Sequence, residues 1–143
     1  MKHYIFLIVL VLFAYGCSGK MPFSGTVTYS DDGAPVTQGV VVFRTPTFIA
    51  QGAIKTDGTY TVGTDKANDG LPPGTYQVTV IGTAETVYGP PRNPNDPYDP
   101  PTETLIPKVD PKFENPEASG LTAVIDGSTR KYDIQVDRFA DKK

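Results

Sequence analysis

Leu71-Pro72-Pro73-Gly74-Thr75-Tyr76-Gln77-Val78-Thr79-Val80 decides how the rest of the chain is read. The prolines and glycine forbid regular pairing at its start. Beyond them Tyr76, Val78 and Val80 alternate with Thr75, Gln77 and Thr79, the period of a strand with one buried face. The same signature recurs upstream. In Phe23-Ser24-Gly25-Thr26-Val27-Thr28-Tyr29 it puts Phe23, Val27 and Tyr29 on one side, and Asp31-Asp32-Gly33-Ala34-Pro35 then supplies turn chemistry. Gly39-Val40-Val41-Val42-Phe43-Arg44 is nearly continuous in apolar residues, as expected of a strand central in its sheet. Ile49 to Thr56 reads as a weaker strand, joined through Asp57-Gly58 to Thr59-Tyr60-Thr61-Val62 by a strong hairpin signal.

Downstream the pattern breaks. Residues 83–119 carry nine prolines between Pro90 and Pro116, and the pairs at 90–91 and 100–101 favour extended polyproline II over sheet or helix. This segment is expected to be a long surface excursion, with Leu105, Ile106, Pro107 and Val109 docking back on the domain. Leu121 to Ile125 and Arg130 to Val136, separated by Asp126-Gly127-Ser128, read as a terminal hairpin with Tyr132, Ile134 and Val136 on one face. About seven strands, frequent turns and no amphipathic helix predict an all-β fold: a seven-stranded, prealbumin-like (Ig-like) antiparallel β-sandwich with a long Pro-rich loop. Nothing between the strands could serve as a crossover helix for a parallel sheet.

The chain has 143 residues, enough for one domain, and a formal net charge of -3 from 13 basic and 16 acidic side chains. The charges are scattered, so no nucleic-acid partner is expected. Its 14 glycines and 14 prolines agree with a turn-rich architecture. The N-terminus stands apart. Lys2 and His3 precede an apolar and aromatic run from Tyr4 to Tyr15, then Gly16 and Cys17. The run is well short of the roughly 20 residues a spanning helix requires, and reads as the hydrophobic region of a signal peptide. Ala14-Tyr15-Gly16-Cys17 resembles a bacterial lipobox, although Tyr15 and Phe13 depart from the commoner aliphatic pattern. The alternative is an ordinary secretory signal or an uncleaved anchor. Cys17 is the one cysteine of the chain, so it forms no internal disulfide, and it sits where acylation would need it. Several acyl chains, at ~0.8 kcal/mol per buried methylene, anchor a domain without any spanning helix. Ser18, where aspartate would favour inner-membrane retention, points to the outer membrane of a Gram-negative envelope.

The resulting organisation is a signal peptide over 1–16, a lipidated tether over 17–22, a sandwich domain over 23–138 and a tail over 139–143. This chain resembles the small transthyretin-like, carboxypeptidase-regulatory-like β-sandwich lipoproteins abundant in planctomycetes. The resemblance rests on Gly25-x-Val27-x-Tyr29, Asp32-Gly33-x-Pro35-Val36, Gly39-Val-Val-Val-Phe43, Thr56-Asp57-Gly58-x-Tyr60-x-Val62, Leu71-Pro-Pro-Gly74-x-Tyr76-x-Val78-x-Val80, and Ile106-Pro107 with Ser119-Gly120-Leu121-Thr122. It spans most of residues 24–125, and the order of these patterns is more specific than any one of them. It implies a prealbumin-like sandwich and little biochemistry. Enzymes of the wider group that hydrolyse hydroxyisourate depend on histidines, and none follows His3 here.

The exported part contains no histidine, no tryptophan and no cysteine beyond Cys17. That excludes hydrolase triads with an imidazole base and zinc sites built on histidine or paired cysteines. Paired carboxylates could run glycoside hydrolysis. Asp31, Asp32, Asp57, Asp65, Asp69 and Asp126, however, fall at turns where aspartate is favoured for bonding local amides. Asn93, Asn95, Asp96 and Asp99 offer hard oxygen ligands for calcium, against a spacing that fits no EF-hand and prolines that stiffen the path. Tyr60, Tyr76 and Tyr132 are in phase with buried neighbours. Tyr88 and Tyr98 lie in the proline-rich segment as candidates for partner contact. The sequence implies no cofactor. It points to a non-enzymatic accessory or interaction module of the cell envelope, bound to the membrane through Cys17 and contacting an envelope protein or a glycan. The alternative is a glycan- or peptide-binding lipoprotein using the 83–119 loop.

Overall fold

The computed structural model describes residues 22–64, 66 and 69–140. The signal peptide, Cys17, Ser18, Asp65 and the last three residues lie outside them. Among the described residues the chain forms nine strands and one short 3-10 turn: β1 (Ser24–Tyr29), β2 (Val40–Thr45), β3 (Phe48–Ala53), β4 (Thr59–Thr61), β5 (Gly74–Ile81), β6 (Glu85–Pro91), β7 (Pro101–Ile106), the 3-10 turn (Pro111–Glu114), β8 (Leu121–Ile125) and β9 (Ile134–Val136). A three-stranded sheet of order β4-β1-β9 packs on a four-stranded sheet of order β3-β2-β5-β8, and β6 pairs with β7 in a separate ribbon. The fold is an all-β sandwich. The two strands beyond the expected seven are the pair in the proline-rich segment.

Alternation produces the core. Val27, Tyr60, Ile134 and Val136 from one sheet meet Val41, Phe43, Tyr76, Val78 and Ile125 from the other, all buried. Phe43 is the hub. Its ring makes edge contacts with Phe23 at 5.6 Å and with Tyr76 and Tyr132 at 6.2 Å between centroids, and lies 6.1 Å from Tyr60. Buried phenols need partners. Tyr60 donates to the carbonyl of Tyr132 at 2.5 Å and Tyr76 to that of Pro72 at 2.8 Å. Burial pushes both hydroxyls above the ordinary tyrosine range. Gly25 is required by this packing, because a Cβ there would overlap the carbonyl oxygen of Tyr132 and the Tyr60 hydroxyl.

Three expectations are corrected. The C-terminal strands are not a hairpin: β8 pairs antiparallel with β5, while β9 crosses to the other sheet and pairs parallel with β1, so the sandwich is not wholly antiparallel. The last regular strand is also shorter, Ile134–Val136: Lys131 makes an isolated parallel bridge to Ser24, and the Asp133 side chain takes the Thr26 amide where the ladder would otherwise continue. The Asp57-Gly58 turn likewise joins two sheets. β3 pairs with β2 and β4 with β1, and only isolated bridges, Gln51 to Gly63 and Ile54 to Tyr60, run between β3 and the β4 region. β2 is interior to its sheet, as its apolar run implies.

Candidate functional site: the proline-rich ribbon and its foot

The 83–119 segment divides in two. Residues 85–106 form the β6–β7 ribbon, where polyproline II was expected. The reason is the placement of the prolines. Glu85 to Tyr88 and Glu103 to Ile106 contain none and pair in regular register, with Tyr88 opposite Glu103 and Thr86 opposite Leu105. Pro90, Pro91, Pro100 and Pro101 stand at the far end, beyond a register shift, where missing amide donors cost little. Residues 107–119 return to the body. Val109 is buried as expected, and Phe113, which the sequence reading passed over, is buried with it in the 3-10 turn. Ser119 closes the segment by donating to the carbonyl of Val78 at 2.8 Å. Leu105 and Ile106 do not dock: they are 68% and 39% exposed on the ribbon.

The ribbon tip is an arrangement of local turns. Asp99 accepts the Asn93 amide at 2.6 Å, Asn93 accepts the Asn95 amide at 3.1 Å, and Asp96 accepts the Tyr98 amide at 3.0 Å. The oxygens of Asn93, Asp96 and Asp99 considered for calcium thus organise the loop backbone. No group of three or more acidic, histidine or cysteine side chains placed to hold a metal occurs among the described residues. The turns display Tyr98, 92% exposed, while Tyr88 on β6 is 64% exposed. Tyr60 and Tyr76 are core residues, and Tyr132 packs against the core.

The foot of the ribbon is held by charge and amide contacts. Lys108 pairs with Glu85 at 2.5 Å, Gln38 donates to the carbonyl of Ala84 at 2.8 Å, and the Phe139 amide donates to the carbonyl of Lys108 at 3.0 Å. Beside it Arg138 lies over the Tyr29 ring, 3.7 Å from its centroid, and donates to Asp31 at 2.9 Å and Asp32 at 2.7 Å. Hydrogen bonding from the Ala34 amide, then from Arg138, holds the Asp32 carboxyl below its usual range. A cleft of about 390 Å³ opens here, lined by Tyr29, Val36, Gln38, Thr83, Lys108 and Arg138 among others. Its charged groups are already paired, Lys108 with Glu85 and Arg138 with Asp31 and Asp32. Arg138 and Gln38 carried no signal in the sequence, because their partners are distant along the chain.

The remaining aspartates serve turns. Asp57 accepts from the Thr59 hydroxyl and amide at 2.7 and 3.0 Å, Asp69 from those of Thr64 at 2.6 Å each, and Asp126 from those of Ser128 and Thr129. These bonds favour the ionised form and lower the pKa of Asp57 and Asp126. Asp31 and Asp32 stand next to each other, and Arg138 spans both. Asp65 lies outside the described residues.

The foot and the N-terminal end of β1 are at opposite poles of the body. Pro22 and Phe23 lie with Thr61 and Arg130 at the Ser24 end, whereas the foot residues surround Tyr29. The five residue steps from Ser24 to Tyr29, at ~3.3 Å each, separate the two ends by roughly 17 Å. Among the described residues no helix is long and apolar enough to cross a membrane.

No family model matches the chain, and no curated protein matches it. Among solved structures, 83% of the chain is similar to 30% of the crystallised major pilin subunit of Bacillus cereus, with 12% identity and a TM-score of 0.40. A 9R-lipoxygenase from Cyanothece PCC8801 is similar over 85% of this chain and 17% of its own, with 12% identity and a TM-score of 0.33. The chain therefore spans less than a third of either.

Proposed function

We propose that this chain is a non-enzymatic, lipid-anchored interaction module of the bacterial cell envelope, of the small transthyretin-like or carboxypeptidase-regulatory-like lipoprotein type. Acyl chains on Cys17 hold it to a membrane, the outer rather than the inner, and the β6–β7 ribbon meets the partner. One observation carries the reading: a paired ribbon stands off a fully packed body with Tyr88, Tyr98 and Leu105 exposed. Monomeric proteins seldom leave large apolar side chains grouped on a projecting element without a contact to make. The position of the foot supports an anchored arrangement. Pro22 enters the body at the Ser24 end of β1, away from the Tyr29 end where the foot of the ribbon is attached, so an anchor on the N-terminal side leaves the foot at the other end of the strand.

Two measurements test this. Metabolic labelling with an alkynyl fatty acid marks the wild-type chain and not Cys17→Ala; equal labelling of both overturns the anchor. A photo-cross-linking amino acid at position 88 or 98 captures an envelope component in the membrane fraction, whereas one at Thr122 on β8 does not; equal capture from all three positions overturns the ribbon as the contact surface. The exposed ring at the ribbon tip also favours a second reading, in which Tyr88 and Tyr98 stack on an extracellular glycan. Retention on a glycan affinity gel that is lost in Tyr88→Ala with Tyr98→Ala is its signature.

A further inference from the structure

The two faces of the ribbon differ. In an antiparallel ladder, directly paired residues share a face, so Glu85, Ile106, Val87 and Thr104 lie on one side and Thr86, Leu105, Tyr88 and Glu103 on the other. The first face is tied down at the foot by the Glu85–Lys108 pair, while Ile106 and Leu105, one from each face, both line the cleft that also contains Tyr29 and Phe139. The second face is exposed at Thr86, Tyr88, Glu103 and Leu105. Leu105 and Tyr88 are its exposed apolar groups, and Glu103 beside Tyr88 has neither an ion pair nor a side-chain hydrogen bond among the described residues. The other charged groups of the ribbon are differently placed. Glu85 is neutralised by Lys108, Asp96 and Asp99 bond tip amides, and Arg92 is at the tip.

We infer that the Thr86, Tyr88, Glu103 and Leu105 face of the ribbon binds a polypeptide segment bearing arginine or lysine. The inference rests on the ribbon being an interaction surface and names what it recognises. An exposed tyrosine ring directly across from an unpaired carboxylate offers a cation both a π face and a charge-assisted hydrogen bond. Two residues along the strand, about 7 Å away, Leu105 provides an aliphatic contact. An extended polypeptide repeats side chains on one side at that same interval, so the recognised pattern is a cation two residues from an aliphatic side chain. Both ribbon strands have an unpaired outer edge, which gives the backbone of such a segment hydrogen-bond partners by strand addition.

The test is selection from a phage-displayed random heptapeptide library on the full chain in detergent micelles, followed by titration of synthetic copies of the enriched peptides. Expected is enrichment of arginine or lysine two positions from valine, isoleucine or leucine. Affinity then falls about tenfold or more in Glu103→Gln and in Tyr88→Ala, and falls with rising salt. Peptides that bind both variants as well as the wild-type chain overturn this face and leave interaction elsewhere on the ribbon standing. Enriched peptides without a cation overturn the partner class. No enrichment, together with glycan-gel retention that depends on Tyr88, overturns a polypeptide partner in favour of sugar; no enrichment and no retention overturns the ribbon reading as well. Both substitutions are at exposed positions, so loss of binding is separable from loss of fold by a circular dichroism spectrum.

Discussion

The sandwich body and the β6–β7 ribbon use the same backbone pairing for opposite ends. In the body, every strand contributes alternate side chains to one interior, and pairing is secured by what is buried behind it. In the ribbon, Val87, Tyr88, Leu105 and Ile106 are all exposed. An isolated two-stranded hairpin is marginal in water. This one is supported at its foot by Lys108 with Glu85, by Gln38, and by Phe139, and at its far end by the Thr102 hydroxyl donating to the carbonyl of Pro90 at 3.0 Å. Stability and recognition are thereby assigned to different parts of the chain. Substitution in one should leave the other nearly untouched.

The strongest test of that separation is Phe43→Ala. Removing the ring around which Phe23, Tyr60, Tyr76 and Tyr132 are packed is expected to cost roughly 3–5 kcal/mol, read from urea unfolding. A loss below about 1 kcal/mol would mean that the body does not depend on this hub. A broader effect is expected from pH. The carboxyls of Asp32, Asp57, Asp126, Asp133 and Asp137 are lowered in the fold, the first four by turn hydrogen bonds or by Lys131 and Thr26, the last by Lys112 and Ser30. Their contribution is present above the unfolded carboxylate pKa near ~4 and is lost as pH falls through the folded values. Tyr60, Tyr76 and Tyr132 are raised by burial, so their contribution is complete below about 10 and is lost as pH rises beyond it. With no histidine after His3, thermal unfolding midpoints should be level between about pH 5 and 9. A step near pH 6.5 would contradict this. The smallest expected effect is on the ribbon. Tyr88→Ala and Tyr98→Ala should each change unfolding free energy by no more than about 0.5 kcal/mol; a cost of 2 kcal/mol or more, on the order of a core truncation, would show that these rings belong to the body's packing.

Legibility followed the same division. The alternation in Tyr76, Val78 and Val80, the central place of Val40 to Phe43, and the turns at Asp31-Asp32-Gly33 and Asp57-Gly58 were all readable, because each depends on residues within a few positions of one another. Tyr88 and Tyr98, read as candidates for partner contact, are exposed. The ribbon is hidden in sequence by the high proline content of 83–119, although 85–88 and 102–106, where the strands pair, contain none. Leu105, expected to dock, is exposed, while Phe113, for which the sequence carries no expectation, is buried. An apolar side chain has the same appearance in sequence whether or not a surface faces it, and the packing of the 3-10 turn that carries Phe113 against β5 depends on contacts far along the chain.

Local alternation and turn chemistry were sufficient to require short extended segments, and therefore an all-β protein, since period two and the φ demands of Asp-Gly turns are satisfied by neighbours alone. Which strands pair was settled only by tertiary structure. β8 and β9 diverge into different sheets, Arg138 finds Asp31 and Asp32, and Lys108 finds Glu85 at the foot of the ribbon. Each of these depends on groups brought together from distant positions, whose competition for the same interior no short window of residues contains.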